Sequence, residues 1–352
     1  MKAKVAHARS GRGALRWIGG WVGVAVVITL RPGAAQVRPI DAERLLAERF
    51  GFSSAEVAQA RGGQSVAKML PANDAPDVGV LGAVRIGGTA DRLAAWLQDV
   101  AAFRKAAELG LSRRVSDPPR IEDFDALVLD AAELSALRAC RPGRCDLRMG
   151  DTAIRRIQAG VNWTAPDAGT RATRLVRQLL LEHAEAYLKG RDQALGAYHD
   201  DKAPRVLADE FHQVLWQSKA LYEIAPAIAA YLEGFPSARL AGAEQFLYWG
   251  KGGAGPEASI TLHQMVIYRA PGGEVWVADK QLYASRYVDA ALTVVSLASA
   301  PDGAGFYAPV GARARSSMLS GMGTRVLRGR VERATIDTAR MYLDWVHASL
   351  TR

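Results

Sequence analysis

The last third of the sequence contains a series of short apolar segments joined by connections too short to cross a sheet. Adjacent strands joined so tightly must be antiparallel. The apolar stripe Ile336, Ala339, Leu343, Val346 and Leu350 then steps by three and four residues, which predicts a packed C-terminal helix starting near Thr335. The predicted strands are separated mostly by turns rich in glycine or proline and cover residues 245–249, 259–269, 274–280, 283–297 and 305–315.

The first part of the chain predicts two short helices, a hairpin and an amphipathic helix. The helices cover 41–50 and 54–60, with Ser53 as the N-cap of the second. Apolar runs at 64–70 and 77–86 flank a turn dense in proline, asparagine and aspartate, which predicts a β-hairpin. A helix then begins at Thr89 or Asp91, and residues 113–125 are polar and predict a loop. The apolar face of that helix contains Leu93, Trp96, Leu97, Val100 and Phe103.

The middle of the chain is helical, which gives the chain an α+β class. Residues 126–137 return to apolar periodicity, and residues 170–235 carry two apolar helical faces separated by the turn-rich segment 200–204. We therefore expect residues 36–352 to form a single domain. It would consist of an antiparallel sheet wrapped on the C-terminal helix, with a large helical insertion at about 115–235.

The N-terminal 35 residues predict a cleaved signal peptide and hence a periplasmic or secreted bacterial protein. Five basic residues precede the apolar core 17–30, and Ala35 ends a small-residue cleavage site. The chain carries 45 basic and 36 acidic side chains, but the leader contains six of the basic ones and no acid. The mature chain then has 39 basic against 36 acidic residues, and this small excess argues against nucleic acid as a partner.

Cys140 and Cys145 are the only cysteines and flank the turn pair Pro142 and Gly143. In an oxidising compartment this arrangement predicts a local disulfide. Redox and metal roles are the alternatives. They fit less well because a redox motif has two intervening residues rather than four and a zinc site needs further ligands.

Two resemblances extend this interpretation. Segments 80–86, 140–145, 208–211 and 246–249 resemble a family of exported bacterial proteins of unknown function. The order of elements over 64–110 and 244–350 is similar to the helix-grip arrangement of START-like lipid-binding domains. That resemblance implies a cavity that holds a lipid or another hydrophobic molecule. Candidate ligand-binding residues lie on the β segments, where solvent-facing positions are the alternative: Tyr248, Trp249, His263, Lys280, Tyr283, Arg286 and Tyr287.

A cluster of arginines near the C-terminus predicts contact with anionic headgroups at a membrane surface. A solvated strand edge is the alternative, because arginine discourages edge-to-edge pairing there. The cluster consists of Arg313, Arg315, Arg325, Arg328, Arg330 and Arg333.

The sequence contains short matches to catalytic motifs, but the elements around them are not the ones that those motifs require. We expect no cofactor and no metal. Residues 65–68 match S-x-x-K within a predicted strand, and 250–255 match G-x-G-x-x-G without a following helix. A metal could be held in a helical hairpin by facing side chains, although charged positions on amphipathic helices normally form the solvated face; the residues are Glu182, His183, Glu185, Asp209, Glu210 and His212. The first functional hypothesis is a non-enzymatic carrier. The alternatives are an envelope hydrolase with His263 or His212 as general base, and an adaptor that presents the helical block.

Overall fold

Ten strands in the described part of the chain form one antiparallel sheet around which the molecule is organised. The structure is a computed structural model that describes residues 41–253, 257–321 and 323–351. The sheet strands are β1 (Val66–Leu70), β2 (Asp77–Ala83), β3 (Arg85–Ile86), β4 (Leu111–Arg114), β7 (Ala243–Gly252), β8 (Ser259–Arg269), β9 (Val275–Ala284), β10 (Ala290–Ser299), β11 (Phe306–Tyr307) and β12 (Val310–Arg315). Strands β5 (Ala197–Tyr198) and β6 (Arg205–Val206) form a separate small hairpin.

Eight of the sheet strands follow the spatial order β1-β2-β12-β10-β9-β8-β7-β4, and β11 joins β10 to β3. The strands from β7 to β10 are consecutive in the chain and pair as a meander. Strand β12 pairs with both β10 and β2, so the N-terminal hairpin extends the late sheet. This order confirms the predicted hairpin and the predicted antiparallel run.

Helices cover both faces of this sheet. The helices are α1 (Ala42–Arg44), α2 (Ser54–Arg61), α3 (Ala90–Gln98), α4 (Val100–Ala106), α5 (Ala131–Ala139), α6 (Asp151–Gly160), α7 (Ala168–Gly190), α8 (Leu207–Gln217), α9 (Lys219–Ile224), α10 (Pro226–Gly234) and α11 (Arg325–Leu350). A π-helical turn continues α1, and three short 3-10 segments occur at Ile121–Phe124, Asp192–Leu195 and Ser317–Leu319.

The two faces of the sheet belong to different cores because side chains alternate along each strand. In β7, Phe246 and Tyr248 lie in the core that contains α3, α4 and α11. Leu247 and Trp249 lie in the core that contains the helical block α5–α10. The helical block therefore shares its hydrophobic core with the sheet.

The C-terminal helix α11 packs across the sheet face that carries Phe246 and Tyr248, which is called the front face below. Leu343, Val346 and Leu350 are buried there, and burying each aliphatic side chain stabilises the fold by roughly 2 kcal/mol. Trp345 stands beside Trp96 and Phe103, with ring centroids 5.0 Å and 5.4 Å away. An antiparallel sheet gripping a C-terminal helix confirms the predicted α+β, helix-grip-like class.

Local sequence signals explain the N-terminal helices. Ser53 caps α2, and the Glu56 side chain accepts a hydrogen bond from the Ser53 amide in return, which completes a capping box. Phe52, Val57 and Leu81 are buried together in a third small core beneath these helices. The two helices predicted at 41–50 and 54–60 are both present.

Several boundaries differ from the prediction. The single amphipathic helix is broken at Asp99, whose side chain accepts a hydrogen bond from the Ala102 amide and so caps α4. Residues 111–114, predicted partly as loop, form the edge strand β4 despite their polar sequence. Helix α11 begins at Arg325 rather than near Thr335. The pattern missed its first turns because they lack the continuous apolar stripe that marks the rest of the helix.

Cys140 and Cys145 form the predicted disulfide. The Gly143 and Cys145 amides of the loop that they close donate hydrogen bonds to the carbonyls of His199 and Asp200. The signal peptide and its cleavage site at Ala35 lie outside the described residues. Among the residues that are described, no helix has both the length and the apolar character needed to cross a bilayer.

Candidate ligand-binding cavity

A cavity of about 530 Å³ lies between the front face of the sheet and helix α11, with α3 and α4 beside it. Its walls are mostly aliphatic or aromatic, and the main apolar contributors from sheet and helices are Leu97, Val100, Phe103, Met265, Val277 and Val310. This size falls within the range of cavities that hold one small hydrophobic ligand.

The amino-acid sequence of α11 explains why space remains here. Helix α11 presents the short side chains Ala334, Thr335, Thr338 and Ala339 to the cavity, and the larger Leu343 and Val346 of the following turns line it as well. On the sheet, Gly82 allows close approach, because a Cβ atom there would lie 2.8 Å from Leu343 Cδ1. Helix α11 therefore approaches strand β2 closely at Gly82, and its short side chains leave space at the cavity.

Asp279 forms a polar end in this apolar cavity. It lies on β9 in alternation with Val275 and Val277, and a quarter of its side chain is accessible. The Tyr248 hydroxyl donates to Asp279 Oδ2 at 2.6 Å, and His263 Nδ1 lies 2.9 Å from Oδ1. The rings of Tyr248 and His263 stack with centroids 4.7 Å apart, which holds both partners in place.

Arg104 of helix α4 lies beside this group. Its Nε donates to Ser112 Oγ at 2.6 Å, and Nη2 donates to the Leu109 carbonyl at 3.1 Å. Its Cζ lies 5.9 Å from the centroid of the Tyr248 ring. The guanidinium is therefore fixed by strand β4 and its preceding turn rather than by an ion pair with Asp279.

The surroundings of Asp279 keep it ionised. Burial alone would raise the pKa of Asp279, but His263, Tyr248 and Arg104 together outweigh burial and hold the pKa below its ordinary value. Burial and the neighbouring carboxylate raise the pKa of Tyr248 well above that of a free phenol, so Tyr248 remains a hydrogen-bond donor.

Two of the seven sequence-predicted ligand residues lie at the cavity, and five lie elsewhere. Tyr248 lines the cavity, and His263 supports Asp279. Trp249 points to the opposite face, where its Nε1 donates to the Asp123 carbonyl at 2.8 Å. Lys280, also on that face, donates to Asp192 at 2.5 Å.

The remaining three candidates lie near the end of β9, beyond the register shift at Leu262 and His263. The Tyr283 hydroxyl donates to the Arg148 carbonyl at 3.1 Å. Arg286 pairs with Glu257 at 2.6 Å, and the Tyr287 hydroxyl accepts from the Glu257 amide. These three residues do not line the cavity.

Sequence reasoning missed Asp279, Arg104 and Tyr342 as cavity residues. One signal could have found Asp279, because this carboxylate follows Val275 and Val277 at the next position of the same strand face. Arg104 carries no such signal, since the exposed Lys105 follows it directly in the same helix.

A more polar cleft of about 670 Å³ lies elsewhere, beside the helical block. Its three arginines are already paired: Arg148 with Asp289, Arg205 with Asp200, and Arg286 with Glu257. A charged ligand there would have to displace a protein partner, so the cleft is the weaker candidate.

The histidines and acids of the helical hairpin do not converge. Glu182 binds Arg156, Glu210 binds Arg315, and His183 is buried, which lowers its pKa to about 4. His212 is exposed on α8. Within the described ranges, no group of three or more histidine, cysteine or acidic side chains could hold a metal ion.

The arginine cluster also divides. Arg313 is buried against Asp77, and Arg315 pairs with Asp74 and Glu210 at 2.8 Å and 2.6 Å, so neither is free to meet a membrane. Arg328 donates to the Asp77 carbonyl. The side chains of Arg325, Arg330 and Arg333 are exposed on α11.

No family model and no curated protein matches this sequence. Among solved structures, the chain is similar to a STAR-related lipid transfer protein from Xanthomonas axonopodis, with 10% identity, a TM-score of 0.36, and coverage of 82% of this chain and 94% of that one. It is also similar to the di-domain ARO/CYC StfQ from the steffimycin biosynthetic pathway, with 13% identity, a TM-score of 0.21, and coverage of 89% and 96%. At these scores, the fold assignment rests on the strand order and on the position of α11.

Proposed function

We propose that this protein is an exported, non-enzymatic carrier that binds one lipid or other hydrophobic molecule between the sheet and helix α11. The supporting observation is the cavity of about 530 Å³, which is apolar along its walls and has polar groups gathered around Asp279. Such a cavity can bury most of a small hydrophobic ligand and orient it through few polar contacts. Export is supported by the N-terminal segment and by the disulfide between Cys140 and Cys145.

A purification experiment tests both parts of the proposal. Protein recovered from the periplasm should have the mass of a chain that begins at Gln36, and denaturing mass spectrometry should release a co-purifying hydrophobic molecule. In the variant Ala339→Trp, an indole would occupy the cavity, and the bound molecule should fall at least about tenfold.

Met341→Trp is the matched control. Met341 lies on the exposed side of the same helix, so this variant adds the same ring without filling the cavity. A folded Ala339→Trp protein that retains the molecule as well as Met341→Trp would contradict the proposal.

The hydrolase alternative retains one supporting observation. His263 lies within hydrogen-bond distance of Asp279, as a general base with an orienting carboxylate would. Asp279 rather than His263 lines the cavity, however, and Asp279 is bound by Tyr248 and His263. This arrangement favours ligand orientation over proton abstraction.

We also propose that Arg325, Arg330 and Arg333 contact anionic headgroups. Val326 is 68% exposed between them, and Leu327 is also exposed. Basic side chains next to exposed apolar ones suit the interface of an anionic bilayer. Val331 and Ala334 of the same helix line the cavity, so this surface adjoins the proposed ligand site.

A further inference from the structure

The polar groups of the cavity carry information about the chemistry of the ligand. Asp279 contributes one negative charge, and Arg104 contributes one positive charge. The two do not form an ion pair with each other, and Tyr248 lies next to both. Thr293, the cross-strand partner of Asp279 on β10, also lines the cavity and adds a neutral hydroxyl.

Asp279 retains hydrogen-bonding capacity toward the cavity. A carboxylate has about four acceptor positions. The Tyr248 hydroxyl uses one at Oδ2, and the His263 ring lies against Oδ1. The accessible quarter of the side chain therefore offers acceptor positions to a ligand.

We infer that the ligand presents a neutral hydroxyl group to Asp279, so that the cavity accepts apolar alcohols and discriminates against free acids of the same chain length. This inference rests on the proposed carrier function. An anionic head group would have to enter an apolar-walled cavity beside the Asp279 carboxylate, which is unfavourable for both charges. A hydroxyl group donates to that carboxylate and requires no burial of a second charge.

Arg104 does not reverse this preference. Its Nε and Nη2 donate to Ser112 and Leu109, which fixes the guanidinium beside strand β4, and its single charge balances that of Asp279. Tyr342 lines the cavity too, and burial raises the pKa of its phenol, so it adds no negative charge. The charged side chains that line the cavity, Arg104 and Asp279, thus leave no excess positive charge with which to attract an anion.

The test compares 1-dodecanol with dodecanoate, two ligands with the same alkyl chain. Binding of each ligand is measured by displacement of the neutral dye Nile red from the purified protein. The assay is run at pH 8, above the range in which histidine ordinarily changes charge. We expect 1-dodecanol to bind at least about tenfold more tightly than dodecanoate. Asp279→Asn removes the charge with little change of shape, and should reduce that ratio to about threefold or less, mainly by improving dodecanoate binding.

Asp344→Asn is the control, because Asp344 is exposed on α11 and its loss changes the net charge equally. The inference is overturned if dodecanoate binds wild-type protein as tightly as 1-dodecanol, or if folded Asp279→Asn keeps the wild-type ratio. If Asp279→Asn does not fold, the ratio of the wild-type affinities for 1-dodecanol and dodecanoate tests the inference alone. If Nile red or both ligands fail to bind, the carrier proposal itself is wrong.

Discussion

Lys280 shows how a buried charged residue can connect two parts of a fold without lining the cavity. Its amino group is 1% exposed, donates to Asp192 at 2.5 Å and lies 3.6 Å from the centroid of the Phe211 ring. Burial lowers the pKa of Lys280 from 10.5 to about 8, although Asp192 opposes that shift. The residue therefore joins strand β9 to the helical block.

This pKa shift predicts a pH-dependent stability. Below pH 8 both folded and unfolded chains hold the Lys280 proton, so the cost of burying the charge is fully present. Between pH 8 and 10.5 only the unfolded chain holds it, so the contribution to stability rises with pH. The unfolding free energy of wild type relative to Lys280→Met should increase by about 3 kcal/mol from pH 7.5 to 10.5.

Urea unfolding of both proteins at several pH values measures this difference. Tyrosine titration affects both proteins equally and therefore cancels in the difference. Lys189→Met, on the exposed surface of α7, serves as the amine control. A wild-type minus Lys280→Met difference that stays constant across this pH range would refute the prediction.

At the scale of elements, the close approach of β2 and α11 depends on Gly82. A Cβ atom at Gly82 would lie 2.8 Å from Leu343 Cδ1 and 3.2 Å from the Val66 carbonyl oxygen. Gly82→Val should lower the unfolding free energy by about 1–3 kcal/mol, because the helix must move away from the strand. Chemical denaturation measures the loss.

Gly311→Ala on the neighbouring strand β12 provides the comparison. A Cβ atom there would meet only Leu81 Cδ1, at 4.0 Å. We expect this substitution to change the unfolding free energy by less than about 0.5 kcal/mol. Equal losses for the two variants would show that contact with α11 is not what Gly82 provides.

Elements with a strong periodic pattern could be predicted from the sequence, and those defined by tertiary contacts could not. Strand β8 was predicted with its observed bounds, Ser259–Arg269, because apolar residues fill it and turns flank it. Strand β4 was missed because Arg113 and Arg114 read as loop, and only pairing with β7 makes them a strand. The break at Asp99 was missed because the apolar stripe continues across it.

The candidate site was predicted less well than the fold for a physical reason. A strand sequence shows that successive side chains alternate, but it does not show which face meets which helix. Tyr248 and Trp249 are adjacent, yet one lines the cavity and the other packs on Phe124. The irregular pairing at Leu262 and His263 further separates Tyr283 from the face that contains Asp279.

At the scale of the whole molecule, the exposed end of α11 predicts selective membrane binding. The protein should sediment with vesicles that contain anionic phosphatidylglycerol and remain unbound with purely zwitterionic phosphatidylcholine vesicles. Replacing Arg325, Arg330 and Arg333 with glutamine should reduce the bound fraction at least about fivefold, since three headgroup contacts of about 1 kcal/mol each are lost.

A charge-matched control replaces Arg138, Arg144 and Lys189, which are exposed outside α11. Equal losses in the two triple variants would indicate attraction by net charge alone. The proposed surface at the start of α11 would then be wrong.

The helical block behind the sheet has a mechanical consequence. Trp249, Trp276 and Leu292 pack into that block, so the strands behind the cavity are braced from the rear. If the proposed ligand binds in the cavity, we expect it to enter and leave by displacement of α11 rather than of these strands. The aromatic contact between Trp345 and Phe103 joins α11 to α4 and would have to open in such a movement.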